Sequence, residues 1–247
     1  MNIDIHVCYV DFEKAFDKVR HEKLVQILQA KNIDKGDLRI ITNLYWNQRA
    51  QIIVDNEKSS EMNIKREVIQ GCVMSPLLFN VYSESIFEEA LLSENEGIII
   101  NGKVINNIRF ADDTVIIASS AEELQRLLSR TSTFCEQYGL KINVKKTKYM
   151  IITKGTDIQA NINLLGRQIE RVQKYKYLGT WITENNEQTT EIRTRIETAR
   201  NAFVKLKTIL CSRDLTMDLR VRTLRCYVFL ILYYGLESWT LKQIAGI

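Results

Sequence analysis

The chain holds one proline, two histidines and ten glycines in 247 residues. It has no Gly/Ser linker and no internal repeat. Five cysteines (Cys8, Cys72, Cys135, Cys211, Cys226) are scattered, odd in number and never spaced C-x-x-C. With only His6 and His21 beside them, no zinc site can be assembled by pattern, and a reducing, intracellular compartment is expected rather than a secreted disulfide scaffold. No signal peptide opens the sequence and no clear nuclear-localisation run occurs, so nucleus and cytoplasm both stay open. The longest apolar run, CYVFLILYYGL from Cys226 to Leu236, is shorter than the ~20 residues of a membrane span. It reads as a buried helix or as a surface that takes a partner, and no membrane is expected.

What is present is ample core-forming material. Hydrophobic residues make up 45% of the chain and charged ones 26%, the signature of one or two globular domains rather than of disorder. The net charge of +4 is small, but its distribution is uneven. From Tyr138 to Gly179 there are nine Lys/Arg against two Asp/Glu, and from Thr190 to Ile247 ten against five. The remainder is acidic, so a polyanionic partner is expected to prefer the second half.

Residues 5–12, IHVCYVDF, read as a buried strand. Helices fit 23–30 and 38–45, and paired strands fit 50–54 and 62–68. Ser75 and Pro76 suit the N-cap and first position of a helix running through Ile86 and Ala90. Residues 98–118 read as strand, Asn101-Gly102 turn, strand, turn, strand. A helix fits 121–137, with Leu124, Leu127, Leu128, Thr131 and Phe134 on one face. Strands fit 148–153 and 174–182. Beyond that, Ile192, Ile196, Ala199, Phe203, Leu206 and Leu210 follow a helical period, and a second helix fits about 217–234. The sum is an α+β fold with an antiparallel sheet, divided into residues 1–187 and a helical segment 188–247.

In IRFADDTVIIA, Asp112 and Asp113 stand between two apolar runs, and Asp11 ends the first apolar strand in VDFEKAFDKV. Adjacent acids either cap an exposed turn, where Asp is common, or await something positive. If the two strands lie side by side their acids converge, each with a raised pKa. A divalent cation with hard oxygen ligands relieves that, and leaves positions for substrate phosphates.

Five blocks in order carry a resemblance: VDFEKAFDKV, VIQGCVMSPLLFNVY, IRFADDTVIIA, GLKINVKKTKYM and YKYLGTWIT. Together they resemble the reverse transcriptase domain of non-LTR (LINE-type) retrotransposons, from about residue 7 to about residue 240. CYVFLILYYGLESWTL resembles the helical region that follows. The resemblance implies a polymerase palm and a helical thumb that holds the duplex by its phosphates. It implies RNA-directed DNA polymerase activity with two Mg²⁺, and an RNA template, a DNA primer and dNTP as partners. Asp11 and Asp112 would ligate the metals with Asp113 assisting, and the carbonyl of Phe12 would be a further ligand. Phe16 would lie beneath the sugar of the incoming nucleotide, leaving no room for a 2′-hydroxyl. Gln70 and Gly71 would contact the nucleotide, although Ile69 and Val73 stand where the family usually has a basic residue and proline. Lys146, in the N-x-x-K-T block Asn143 to Thr147, would sit beside the triphosphate. Tyr177, Leu178 and Gly179 would grip the primer's 3′ end. Finger strands precede the first block in this family, so the sequence reads as one piece of such an element. The competing expectations are a catalytically incompetent remnant that holds nucleic acid, and a two-metal nucleotide cyclase, which needs no primer.

Overall fold

A computed structural model of the chain describes residues 4–46, 48–55, 57–68, 71–91, 96–153 and 159–239. The chain divides into two compact units, Met1–Val172 and Gln173–Ile247. The first is built on a five-stranded sheet. Its strands are β1 (Ile5–Val10), β2 (Asn107–Phe110), β3 (Asp113–Ala118), β4 (Lys148–Ile152) and the short β5 (Glu170–Arg171), in the order β5-β4-β1-β3-β2. All pairings are antiparallel except β4 with β5.

The central position of β1 explains its largely apolar run, in which His6 is also buried. Cys8 and Val10 belong to the helix-covered core, and Val7 and Tyr9 on the opposite face are also buried. A strand covered on both faces gains from apolar residues at every position instead of every second one. The longer helices of the unit are α1 (His21–Ala30), α2 (Lys35–Trp46), α3 (Ser75–Leu91) and α4 (Ala121–Gln137), and a single turn of helix spans Ala15–Lys18. In α4 the Ser120 hydroxyl accepts from the Glu123 backbone N–H, the cap that starts the helix. Leu124, Leu127, Leu128 and Thr131 then bury one stripe, as the periodicity predicts, while Phe134 is half-buried against the same core.

The regions 50–54 and 62–68 form less strand than expected. Arg49–Ala50 pairs with Met62–Asn63, and Ile53–Val54 pairs with Glu57–Lys58, two residues on each side. Ile52, Ile53, Val54 and Met62 are all exposed. Their β-branched composition favours strand, but without a covering layer the pairing does not extend. The Asn101-Gly102 turn forms as the sequence predicts, with φ of 51° and 75° joining Ile98–Ile100 to Lys103–Ile105.

The second unit begins with a hairpin, β6 (Lys174–Tyr177) and β7 (Thr180–Thr183), where one strand over 174–182 was expected. Leu178 and Gly179 form its turn with φ of 46° and 82°. The boundary therefore falls before this hairpin and not near residue 187. Helix α5 (Thr189–Lys205) follows, then α6 (Met217–Leu224), which continues through a π turn at Arg225–Phe229 into Leu230–Leu232. Among the described apolar residues of this unit only Ala199 and Val228 are fully buried, and Ile196, Phe203 and Leu230 remain substantially exposed.

In the first core, the fully buried Tyr82 hydroxyl donates to the Tyr138 carbonyl at 2.5 Å and accepts from the Arg20 N–H at 3.4 Å. Tyr82→Phe strands a buried carbonyl. Urea denaturation is expected to show a loss of about 1–3 kcal/mol with an unchanged m-value.

Candidate active site

Asp11 lies one residue beyond the end of β1, and the turn Ala111-Asp112 joins β2 to β3. In the β1–β3 register Val10 faces Thr114. One step further along the same register brings Asp11 beside Asp113, with Asp112 next to it in the turn. The turn carries strain: Ala111 has φ of 53°, a left-handed conformation that a non-glycine residue adopts at a cost. The three acids of the sequence reading are thus brought to one end of two paired strands.

The backbone of Asp11 is fixed by the fourth block. Its N–H donates to the Thr147 hydroxyl at 3.2 Å, and its carbonyl accepts from the Asn143 N–H at 2.8 Å. Phe12 bridges to Ile142, and the Glu13 N–H donates to the Lys141 carbonyl at 2.8 Å. Within the turn, the Asn143 carbonyl accepts from the N–H groups of Lys146 and Thr147. The fully buried Thr147 and the Asn143 side chain, which accepts from the Lys146 N–H at 3.3 Å, make the N-x-x-K-T spacing intelligible. They anchor a turn that presents the lysine between them.

Lys146 Nζ stands 3.9 Å from Asp11 Oδ2, beyond a hydrogen bond. The neighbouring lysines are engaged differently: Lys141 pairs with Glu13 and Lys148 with Glu170. Asp11 Oδ2 is a buried oxygen without a hydrogen-bond donor. Burial raises the Asp11 carboxyl above its usual range, Lys146 draws it back in part, and Asp112 pushes it up again. Asp113 is raised too, first by burial, then by Asp112 and Asp11. These mutual effects show that the acids share one field. As they stand, no group of three or more His, Cys, Asp or Glu side chains among the described residues is arranged to hold a metal ion.

Phe16 stacks on Phe79 with ring centroids 4.6 Å apart and stays half-buried. Its carbonyl accepts from the N–H of Val68, so the first block is tied to the start of the second. Gly71 is exposed with φ of 88°, and nothing lies within 4 Å of where its Cβ would be. Backbone conformation and open space both suit a close approach by a ligand there. Gln70, with Ile69, lies outside the described residues.

Tyr177, Leu178 and Gly179 belong to the second unit, where a clamp that the sequence reading did not single out holds their turn. Arg195 donates to the Gly179 carbonyl at 2.5 Å and pairs with Glu191 at 2.5 Å. Glu191 is 1% exposed, and its other oxygen accepts from the Trp181 N–H at 2.8 Å. The Tyr234 hydroxyl donates to the Leu178 carbonyl at 2.7 Å, and the Arg195 guanidinium lies 4.5 Å from the Tyr234 ring centre. The only sequence signal for this was the i,i+4 spacing of Glu191 and Arg195.

Against this geometry stand the comparisons. Residues 4–182 match the reverse transcriptase (RNA-dependent DNA polymerase) family. Among curated proteins, the chain is 28% identical over 185 residues to the Pol polyprotein from the type-1 retrotransposable element R2 of Nasonia vitripennis, covering 71% of this chain and 18% of that protein. It is 25% identical over 241 residues to the RNA-directed DNA polymerase from mobile element jockey of Drosophila melanogaster, covering 94% and 25%. Among solved structures, apo telomerase from Candida tropicalis superposes with a TM-score of 0.57 at 13% identity, over 96% of this chain and 42% of that one. The same telomerase in complex with a fragment of telomeric RNA gives 0.57 at 10% identity, over 96% and 39%. The fold is that of a polymerase palm. The chain belongs to the reverse transcriptase family, as a domain of the non-LTR retrotransposon type. It spans a quarter or less of the length of these curated relatives.

Two outcomes test the geometry. A carboxyl raised in the folded state binds its proton more tightly there than in the unfolded chain. Folding stability therefore falls as pH rises from the unfolded Asp pKa, about 3.9, through the raised folded value. In chelator-treated buffer, Asp11→Asn is expected to raise the melting temperature at pH 7 but not at the acid end of that window. A melting temperature lowered equally at both pH values would contradict this. In the second unit, Arg195→Ala leaves Glu191 buried and unpaired. Hydrogen exchange at the Trp181 amide is expected to report a local loss of about 3–5 kcal/mol.

Proposed function

We propose that this chain is the catalytic core of an RNA-directed DNA polymerase that adds dNTP to a DNA primer on an RNA template. The observation that carries the reading is that Asp11, just beyond β1, and the Asp112-Asp113 turn stand at the same end of two paired strands, with one Asp11 oxygen buried and lacking any donor. The hard carboxylate oxygens of Asp11 and Asp113, whose charge burial disfavours, suit a divalent cation such as Mg²⁺. Two Mg²⁺ held by Asp11, Asp112 and Asp113, with the Phe12 carbonyl as a further ligand, would supply charge neutralisation at the entering and leaving oxygens.

The chain's own residues account for the rest. The primer 3′-oxygen forms a bond to the α-phosphorus as the bond to pyrophosphate breaks, so negative charge grows on the leaving group. Lys146, solvent-exposed and held only loosely by Asp11, is the cation placed to swing toward that charge or to donate a proton to it. Phe16, fixed from behind by Phe79, presents a ring beneath the sugar and excludes a 2′-hydroxyl. Gly71, with Gln70 before it, lets the backbone approach the nucleotide. The turn Tyr177-Leu178-Gly179, clamped by Arg195 and Tyr234, supports the primer end. The name of the jockey relative, an RNA-directed DNA polymerase, supports the same substrate class.

Primer extension on an RNA template with Mg²⁺ and dNTP tests the reading. The wild-type chain is expected to extend the primer, and Asp112→Asn to lower the rate by about 10²-fold or more. Phe16→Val is expected to raise incorporation of rNTP relative to dNTP by about tenfold or more. A wild-type chain that binds the primer–template and incorporates nothing would sink the proposal.

A further inference from the structure

A basic cavity lies in the first unit, lined by none of the site residues above. It has a volume of about 510 Å³, and its walls include Arg20, Glu22, Trp46, Arg49, Lys65 and Arg66. These positions are far apart in sequence, and two backbone systems gather them. Arg20 bridges to Arg66, the His21 N–H donates to the Lys65 carbonyl, and the Glu67 N–H donates to the Val19 carbonyl. The short ladder Arg49–Ala50 with Met62–Asn63 brings Arg49 to the same place. Trp46 ends α2 with its ring centre 5.4 Å from that of the buried His21.

The charges here are poorly compensated. Arg20 and Arg66 are direct partners across a bridge, where like charges repel. Among the described residues no carboxylate lies within ion-pair distance of Arg20, Lys65 or Arg66. Arg20 is half-buried, and its Nε is a buried donor with no acceptor. It lies against Gly139, where a Cβ would come within 2.5 Å of that Nε. The glycine, at φ of 83°, thus makes room for a guanidinium that has no anion beside it among the described residues. Arg49 is paired with Glu61 at 2.7 Å, but both side chains are more than half exposed, and such pairs exchange readily. Glu22 is the one acid in the wall, and it is solvent-exposed.

We propose that this cavity binds the phosphodiester backbone of a single polynucleotide strand, with the indole of Trp46 stacking on a base. The cavity is larger than one phosphate needs, the cations are arrayed around it, and Trp46 is 37% exposed beside them. Cationic groups that track phosphates next to an aromatic face are the arrangement single strands favour. The inference rests on the polynucleotide substrate class proposed above and adds a contact made by residues outside the carboxylate blocks.

The test uses the full chain, a twelve-nucleotide single-stranded RNA and the DNA of the same sequence, with binding read by fluorescence anisotropy across a salt series. The double variant K65Q/R66Q is expected to bind about tenfold more weakly at low salt. Its salt dependence should be shallower by about 1.4, at ~0.7 per lost phosphate contact. W46F should weaken binding several-fold with the slope unchanged. Equal losses for RNA and DNA identify the backbone alone as the ligand, and a larger loss for RNA adds the 2′-hydroxyl; both support the site. Unchanged affinity and slope in K65Q/R66Q overturn it, as does a wild-type chain that binds neither strand. Primer extension keeps the two proposals apart. An inactive wild-type chain whose strand binding still depends on Lys65 and Arg66 overturns only the polymerase reading. An active one whose binding ignores them overturns only this site.

Discussion

Carboxylates held together at the end of a buried sheet repel one another, and burial alone already disfavours their charge. The strand β1 sits between two antiparallel neighbours, and everything around its end works to hold Asp11 in that unfavourable place. The Asn143–Thr147 turn fastens its backbone through two hydrogen bonds, and Lys146 offers only a distant cation. A closer lysine would neutralise the acid. The fold supplies the rigidity and leaves the charge unsettled, as expected of a site that completes itself with its ligands.

Much of this was legible from residue patterns. β1 was readable because both its faces are buried, so that all its residues but His6 are apolar. Helix α4 was readable because its stripe and its Ser120 cap agree. The convergence of Asp11 with Asp112 and Asp113 followed from placing acids at the ends of two such strands. The segments that misled were those where composition and burial part company. Ile52, Ile53 and Val54 look like a strand but lie exposed, so their pairing stops after two residues. The hairpin at Leu178-Gly179 was hidden because a leucine, not an asparagine, takes the first left-handed position. The linear charge count pointed to the second half of the chain. It could not see Arg20, Arg49, Lys65 and Arg66, which only folding brings together.

The second unit is organised on a different principle. It buries few apolar residues, and its described apolar helical faces stay largely open. Its order comes from a polar knot, in which Glu191 and Arg195 of α5 and Tyr234 of the turn after Leu230–Leu232 reach the hairpin and satisfy backbone groups of Leu178, Gly179 and Trp181. A turn fastened in this way shifts as one piece with α5. The sheet-based unit, by contrast, takes its rigidity from packing.

The pairing of β1 also sets a schedule. Its two neighbours are β3, ending at Ala118, and β4, ending at Ile152, while β1 itself is made first. During synthesis β1 emerges before either partner, and both its edges stay unpaired until Asp113–Ala118 has followed it. Sheets closed over such long loops form slowly, and a waiting apolar strand is the segment on which a nascent chain aggregates or recruits a chaperone.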